Sequence, residues 1–107
     1  MSDLLTNILH LIDQGKVNIS DHGYDELAAD GLLVRDIISS LNDAVIVEEY
    51  PDFPKGPCIL VLQKDIEGQP VHVVWGIPRG MTSPAVLVTA YRPDPKRWEE
   101  GFLRRKK

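Results

Sequence analysis

The sequence predicts an α+β fold: N-terminal helices packed on a four-stranded antiparallel β-meander, closed by a short C-terminal helix. Three observations carry this. Apolar residues recur at helical spacing as far as Leu41. From Ala44 onward the period drops to two over AVIVEEY, CILVLQKD, PVHVVWGI and AVLVTAYR. The separators PDFPKGP, EGQ and PRGMTSP are turn-like and too short for a crossover helix, so consecutive strands must run antiparallel. Helices that precede such a sheet gather on one of its faces, giving two layers.

Each element has a local reason. Leu4, Leu5, Ile8, Leu9, Leu11 and Ile12 form the apolar side of a first helix, with Ser2 or Asp3 as its cap and Gly15 as its stop. Val17 to Ile19 reads as a short extended link. Ser20 or Asp21 can then accept the free amide protons of a second helix, which buries Leu27, Ala28 and Tyr24 and stops at Gly31. Leu33, Val34, Ile37, Ile38 and Leu41 make a third stripe that ends at Asn42 and Asp43. After the four strands, PDPKRWEEGFLRRKK resumes helical spacing, with Trp98 and Phe102 four apart so that both dock on the sheet.

Length and composition bound the function. At 107 residues, with 43% hydrophobic and 26% charged content, the chain is expected to form a single domain over 1–107 around one core. The N-terminal apolar run carries acidic residues and lacks a basic leader, and no run approaches the roughly 20 residues that span a bilayer, so neither export nor a membrane is expected. The single Cys58 has no partner for a disulfide, which points to a reducing cytoplasm and a packing role. Residues 92–107 hold seven cationic against three anionic residues, a net of +4, and the rest of this −4 chain is therefore at −8. A basic end of this kind either binds phosphates or is a solvated helix.

The chemistry available is narrow. His10, His22 and His72 are far apart and in no metal-ligand spacing, no glycine-rich phosphate loop follows a strand, and no GxSxG elbow is present, so no metal and no cofactor is expected. What remains suits metal-free cleavage of a phosphodiester, which needs a base, an acid and cations. His22 and Glu26 lie i,i+4, so the carboxylate can orient the imidazole, although a histidine at a helix start is also an ordinary surface or capping group. His72 alternates away from Trp75. On an open face it would join Thr89 and Tyr91 of the next strand, where the plainer reading is a surface histidine beside a tyrosine. Arg92, Arg97, Arg104 and Arg105 are the candidate phosphate ligands, and Trp75 and Trp98 read as core anchors.

The order ISDHGYDELAADGL, LNDAVIVEEYPDFP, CILVL, PVHVVWG, VLVTAYRPDPKRWEEGF and a closing RR, spanning residues 17–105, resembles the domain-of-unknown-function family 4258. The family's histidines fall on His22 and His72, its T-x-Y on Thr89 and Tyr91, and its closing arginines on Arg104 and Arg105. The chain departs from the pattern in the second helix, where the family often has arginines and this chain has Asp25 or Glu26, and Asp30, which removes phosphate-neutralising charge. By fold similarity to small toxin nucleases of the RelE and barnase type, the resemblance implies a metal-independent endoribonuclease with His22 and His72 as acid and base and Tyr91 and Glu26 assisting. RNA is then the substrate and an antitoxin-like protein the partner. The alternative is a noncatalytic module of the same fold that binds protein or nucleic acid.

Overall fold

The computed structural model describes residues 3–107. In chain order these form α1 (Asp3–Asp13), β1 (Val17–Ile19), α2 (Asp21–Ala29), α3 (Val34–Ser40), a 3-10 turn (Leu41–Asp43), β2 (Val45–Tyr50), β3 (Cys58–Lys64), β4 (Pro70–Gly76) and β5 (Ala85–Tyr91). Ser2, one of the two expected caps of α1, lies outside the described residues. The sheet order is β1-β5-β4-β3-β2, and the meander β2 to β5 is antiparallel throughout.

The helices cover one face. Alternation turns Ile59 and Val61 of β3, Val71, Val73 and Trp75 of β4, and Ala85, Leu87 and Ala90 of β5 toward Leu5, Ile8, Leu27, Ile37 and Leu41. Each fully buried large side chain in this layer contributes roughly 1.5–3 kcal/mol of transfer free energy. One polar group sits inside it. The Gln63 amide donates to the Ile37 carbonyl at 2.6 Å and to Ser40 Oγ at 2.8 Å, and its oxygen accepts from Trp75 Nε1 at 2.8 Å. A single glutamine thus ties α3 to β3 and β4, and every buried side-chain polar atom among the described residues is satisfied.

Four expectations need correction. The link Val17–Ile19 is a fifth strand, paired in parallel with Ala85–Leu87, because the turn into α2 lays it along the free edge of β5. Three residues are too few to show a period. In α2 the inner face is Gly23 and Leu27, while Tyr24 and Ala28 are exposed; Gly23 sits against Leu87, which turns the neighbouring positions outward. Leu33 is likewise exposed, and Leu32 takes the core position expected of it.

The fourth correction concerns the C-terminus, which is a strap rather than a helix. One turn forms where Arg97 and Trp98 donate to the Asp94 carbonyl, and Asp94 caps it by accepting from the Lys96 amide. The chain then reverses: Glu99 N donates to Arg104 O, Lys106 N donates to Arg97 O, and Trp98 pairs with Arg105. Gly101 and Phe102 take φ of +89° and +61°, which no right-handed helix can accommodate.

Replacing Gln63 by leucine removes the acceptor of the Trp75 indole proton and the donor to Ile37. We expect a loss of about 1–3 kcal/mol in urea denaturation, the cost of stranding buried polar groups.

Candidate functional site

The face of the sheet opposite the helices is divided in two. At one end the strap closes it. Trp98 packs edge-on to the His72 ring with centroids 4.3 Å apart, and the Tyr91 ring stands edge-on at 5.3 Å. His72 is 0% exposed, with Nε2 at 2.8 Å from the Phe102 carbonyl and Nδ1 at 3.2 Å from Tyr91 Oη. A carbonyl can only accept, so Nε2 carries the proton and Nδ1 accepts from the tyrosine. Burial, then the charge of Arg105, hold the imidazole below its ordinary value of 6.5, against the opposing pull of the Phe102 carbonyl and Glu48. Burial also raises the Tyr91 phenol.

A second clasp secures the strap from β2. Arg105 reaches Glu48 through two nitrogens, at 2.9 and 3.4 Å, while its guanidinium carbon lies 4.6 Å from the Trp98 ring centroid. Tyr50 donates to the same carboxylate. These bonds from Arg105 and Tyr50 hold Glu48 below the usual carboxylate range. Burial, with the bond to Glu48, keeps the Tyr50 phenol protonated above its ordinary value.

The other end of the face is an open groove of about 570 Å³. Its floor is Cys58 of β3, Val74 and Gly76 of β4, and Val86, Val88 and Thr89 of β5. A bulge lies between Leu87 and Thr89. Leu87 and Ala90 both face the core, so Val88 and Thr89 turn outward together and widen the floor. Burial raises the Cys58 thiol, so it stays protonated and unreactive.

One wall is the start of α2, which continues along β5 where β1 stops. Ser20 N donates to Leu87 O at 3.0 Å, Ser20 Oγ donates to Val88 O at 2.8 Å and accepts from Gly23 N at 2.9 Å, and Arg92 N donates to Asp30 at 3.2 Å. A Cβ on Gly23 would lie 2.8 Å from the Leu87 carbonyl oxygen, so only glycine lets the helix approach this closely. The approach brings Ser20 and His22 to the groove. The His22 side chain is 66% exposed, with a Glu26 oxygen 3.7 Å from Nε2. The opposite wall is the β2–β3 loop with Tyr50, Phe53 and Lys55. It is pinned by bonds from Ile77 N to Pro57 O and from Arg79 N to Lys55 O; Gly56, at φ +131°, is wedged where a Cβ would strike the Ile77 carbonyl.

The residues expected from the sequence therefore separate. His22, Glu26 and Thr89 belong to the groove region, while His72 and Tyr91 are hydrogen-bonded to each other beneath the strap. The expected open face around His72 is closed, because Trp98 and Phe102 cover it. Arg92 is paired with Asp65 at 2.9 Å and Arg105 with Glu48, whereas Arg97 and Arg104 are exposed and make no ion pair among the described residues. Sequence reasoning missed Glu48, Tyr50, Phe53 and Lys55. The i,i+2 spacing of Glu48 and Tyr50 on a strand was the available signal for the first two.

The family model described as "Domain of unknown function (DUF4258)" matches residues 19–92, from the end of β1 to the residue after β5. The chain belongs to this family. The match takes in α2, the whole meander and both walls of the groove, and stops short of the strap. No curated protein and no solved structure matches the chain. Among the described residues no group of three or more metal-ligating side chains is placed to hold an ion, and no helix is long and apolar enough to cross a membrane.

A depressed histidine binds fewer protons folded than unfolded. Its stability contribution is complete above pH 6.5 and is lost as pH falls from there toward the folded-state value. Urea denaturation between pH 8 and 5 should show that fall in the wild type. His72→Gln, which keeps a donor for Phe102 and cannot titrate, should flatten it.

Proposed function

We propose that the chain cleaves single-stranded RNA without a metal ion, in the manner of the small RelE- and barnase-like toxin nucleases, and that the groove is its substrate site. The observation that carries this reading is an exposed imidazole, His22, beside a carboxylate, at the edge of a groove whose far wall presents a cation and an aromatic ring.

In this reading His22 takes the proton of a ribose 2′-hydroxyl, with Glu26 orienting the ring and stabilising the imidazolium. The 2′-oxygen bonds to phosphorus and the P–O5′ bond breaks, leaving a 2′,3′-cyclic phosphate. The Tyr50 hydroxyl turns from Glu48 to protonate the departing 5′-oxygen and recovers its proton from solvent. Lys55 supports the charge that develops on the phosphoryl oxygens. Phe53, 48% exposed, offers a face on which a base can stack, and the valine floor accepts the apolar side of the nucleoside. His72 and Tyr91 act on the scaffold rather than on substrate, since both His72 nitrogens are engaged and the ring is fully buried.

A second reading, a noncatalytic module that seats an apolar segment of an antitoxin-like protein, is favoured by the apolar floor and by the engagement of Arg92 and Arg105 in ion pairs. Labelled RNA incubated with EDTA separates the two. The first predicts cleavage by the wild type, a loss of about 10²-fold or more in His22→Ala, and retained activity in His72→Gln at neutral pH. A folded wild type that leaves RNA intact would transfer the groove to the second reading.

A further inference from the structure

The strap that closes one end of the sheet is itself a two-stranded ribbon, and its two faces differ. Trp98 and Arg105 pair across it and point inward, the first onto His72 and the second onto Glu48. Side chains alternate along such a ribbon, so the flanking pairs Arg97 with Lys106 and Glu99 with Arg104 point outward. All four are exposed, and none of the three cations has a carboxylate partner among the described residues. Lys96 and Lys107 stand at the ribbon's ends, also exposed.

We propose that this outward face is a backbone-binding track for single-stranded RNA, holding the phosphates of nucleotides that flank the one in the groove. The proposal rests on the RNA reading of the groove and adds to it where the rest of the strand lies. Charge favours a polyanion's flanking phosphates at this end over the rest of the surface. Residues 92–107 carry +4 and the remainder of the chain −8, so the field draws a nucleic acid toward the ribbon end of the molecule. The ribbon also lies on the same side of the sheet as the groove, because its Trp98 packs on His72, whose neighbour two residues on, Val74, forms the groove floor. Its inward cation is spent on Glu48. The phosphate ligands are therefore Arg97, Arg104 and Lys106, not Arg92 or Arg105.

The test uses the full chain carrying His22→Ala, so that RNA is bound and not consumed. Affinity for a fluorescein-labelled single-stranded RNA is followed by anisotropy across a salt series. Neutralising Arg97, Arg104 and Lys106 together to alanine should weaken binding at least about tenfold at low salt and flatten the plot of log K against log salt by about 2, the counterion release of three phosphate contacts on a single strand. A control removing three exposed cations of the body, Lys16, Arg35 and Lys64, should leave the slope unchanged, and both variants should keep the parent's melting temperature. Equal effects of the two triple variants, no effect of either, or no binding by the parent would overturn the track. Cleavage by the wild type with binding indifferent to the strap would overturn the track alone. Strap-dependent binding without cleavage would overturn the catalytic reading and leave the track standing.

Discussion

The hydrogen bond from His72 Nε2 to the Phe102 carbonyl decides how the second face of the sheet is used. A histidine with no exposed surface must have both ring nitrogens satisfied, since an unmatched buried polar group costs a few kcal/mol. Tyr91 supplies one partner from the neighbouring strand, but nothing in the meander supplies the other. The C-terminal segment does so, with Phe102 in a left-handed conformation. Trp98 then fills the space beside His72, and Arg105 fastens the ribbon to Glu48. The exposed imidazole on this side of the sheet is consequently not this one but His22.

The strap and the groove share a residue pair. Glu48 receives Arg105 from the strap and Tyr50 from its own strand, and Tyr50 forms part of the groove wall. The orientation of that hydroxyl thus depends on a carboxylate that also anchors the C-terminus. The other walls are fixed by close backbone approach at Gly23 and Gly56, by the Ser20 hydroxyl on Val88 O and by the outward pair Val88 and Thr89 at the bulge. Groups placed by backbone contact in this way keep their positions at little entropic cost.

Much of this was legible in the sequence. The change of period at Ala44 separated helices from sheet, the turn residues set the antiparallel order, and His22 with Glu26 was readable as a pair from helical spacing alone. The rest failed for identifiable reasons. Val17–Ile19 is too short for alternation to show, and its parallel pairing with β5 depends on how the chain turns at Ser20. Trp98 and Phe102 do fall at helical spacing, but the pull of His72 and Glu48 on Trp98, Phe102 and Arg105 outweighs that local preference, and Gly101 permits the reversal. Parity placed His72 on the face away from Trp75, as found, yet could not tell whether that face was open, because its cover comes from sequence thirty residues away. Gln63 looked like one more polar position of an alternating strand, and only the arrival of α3 makes it a buried tie.

The division of the sheet face into a closed clasp around His72 and an open groove beside His22 is tested most directly by long-range ¹H–¹⁵N correlation spectra of the histidine side chains across pH. The structure predicts His72 as the neutral Nε2–H tautomer, with a proton slow to exchange and a titration displaced below 6.5. A His72 that titrates at the ordinary value with rapidly exchanging ring protons would mean that the strap does not close the face, and the separation of a buried histidine from an exposed one at the groove would fall with it.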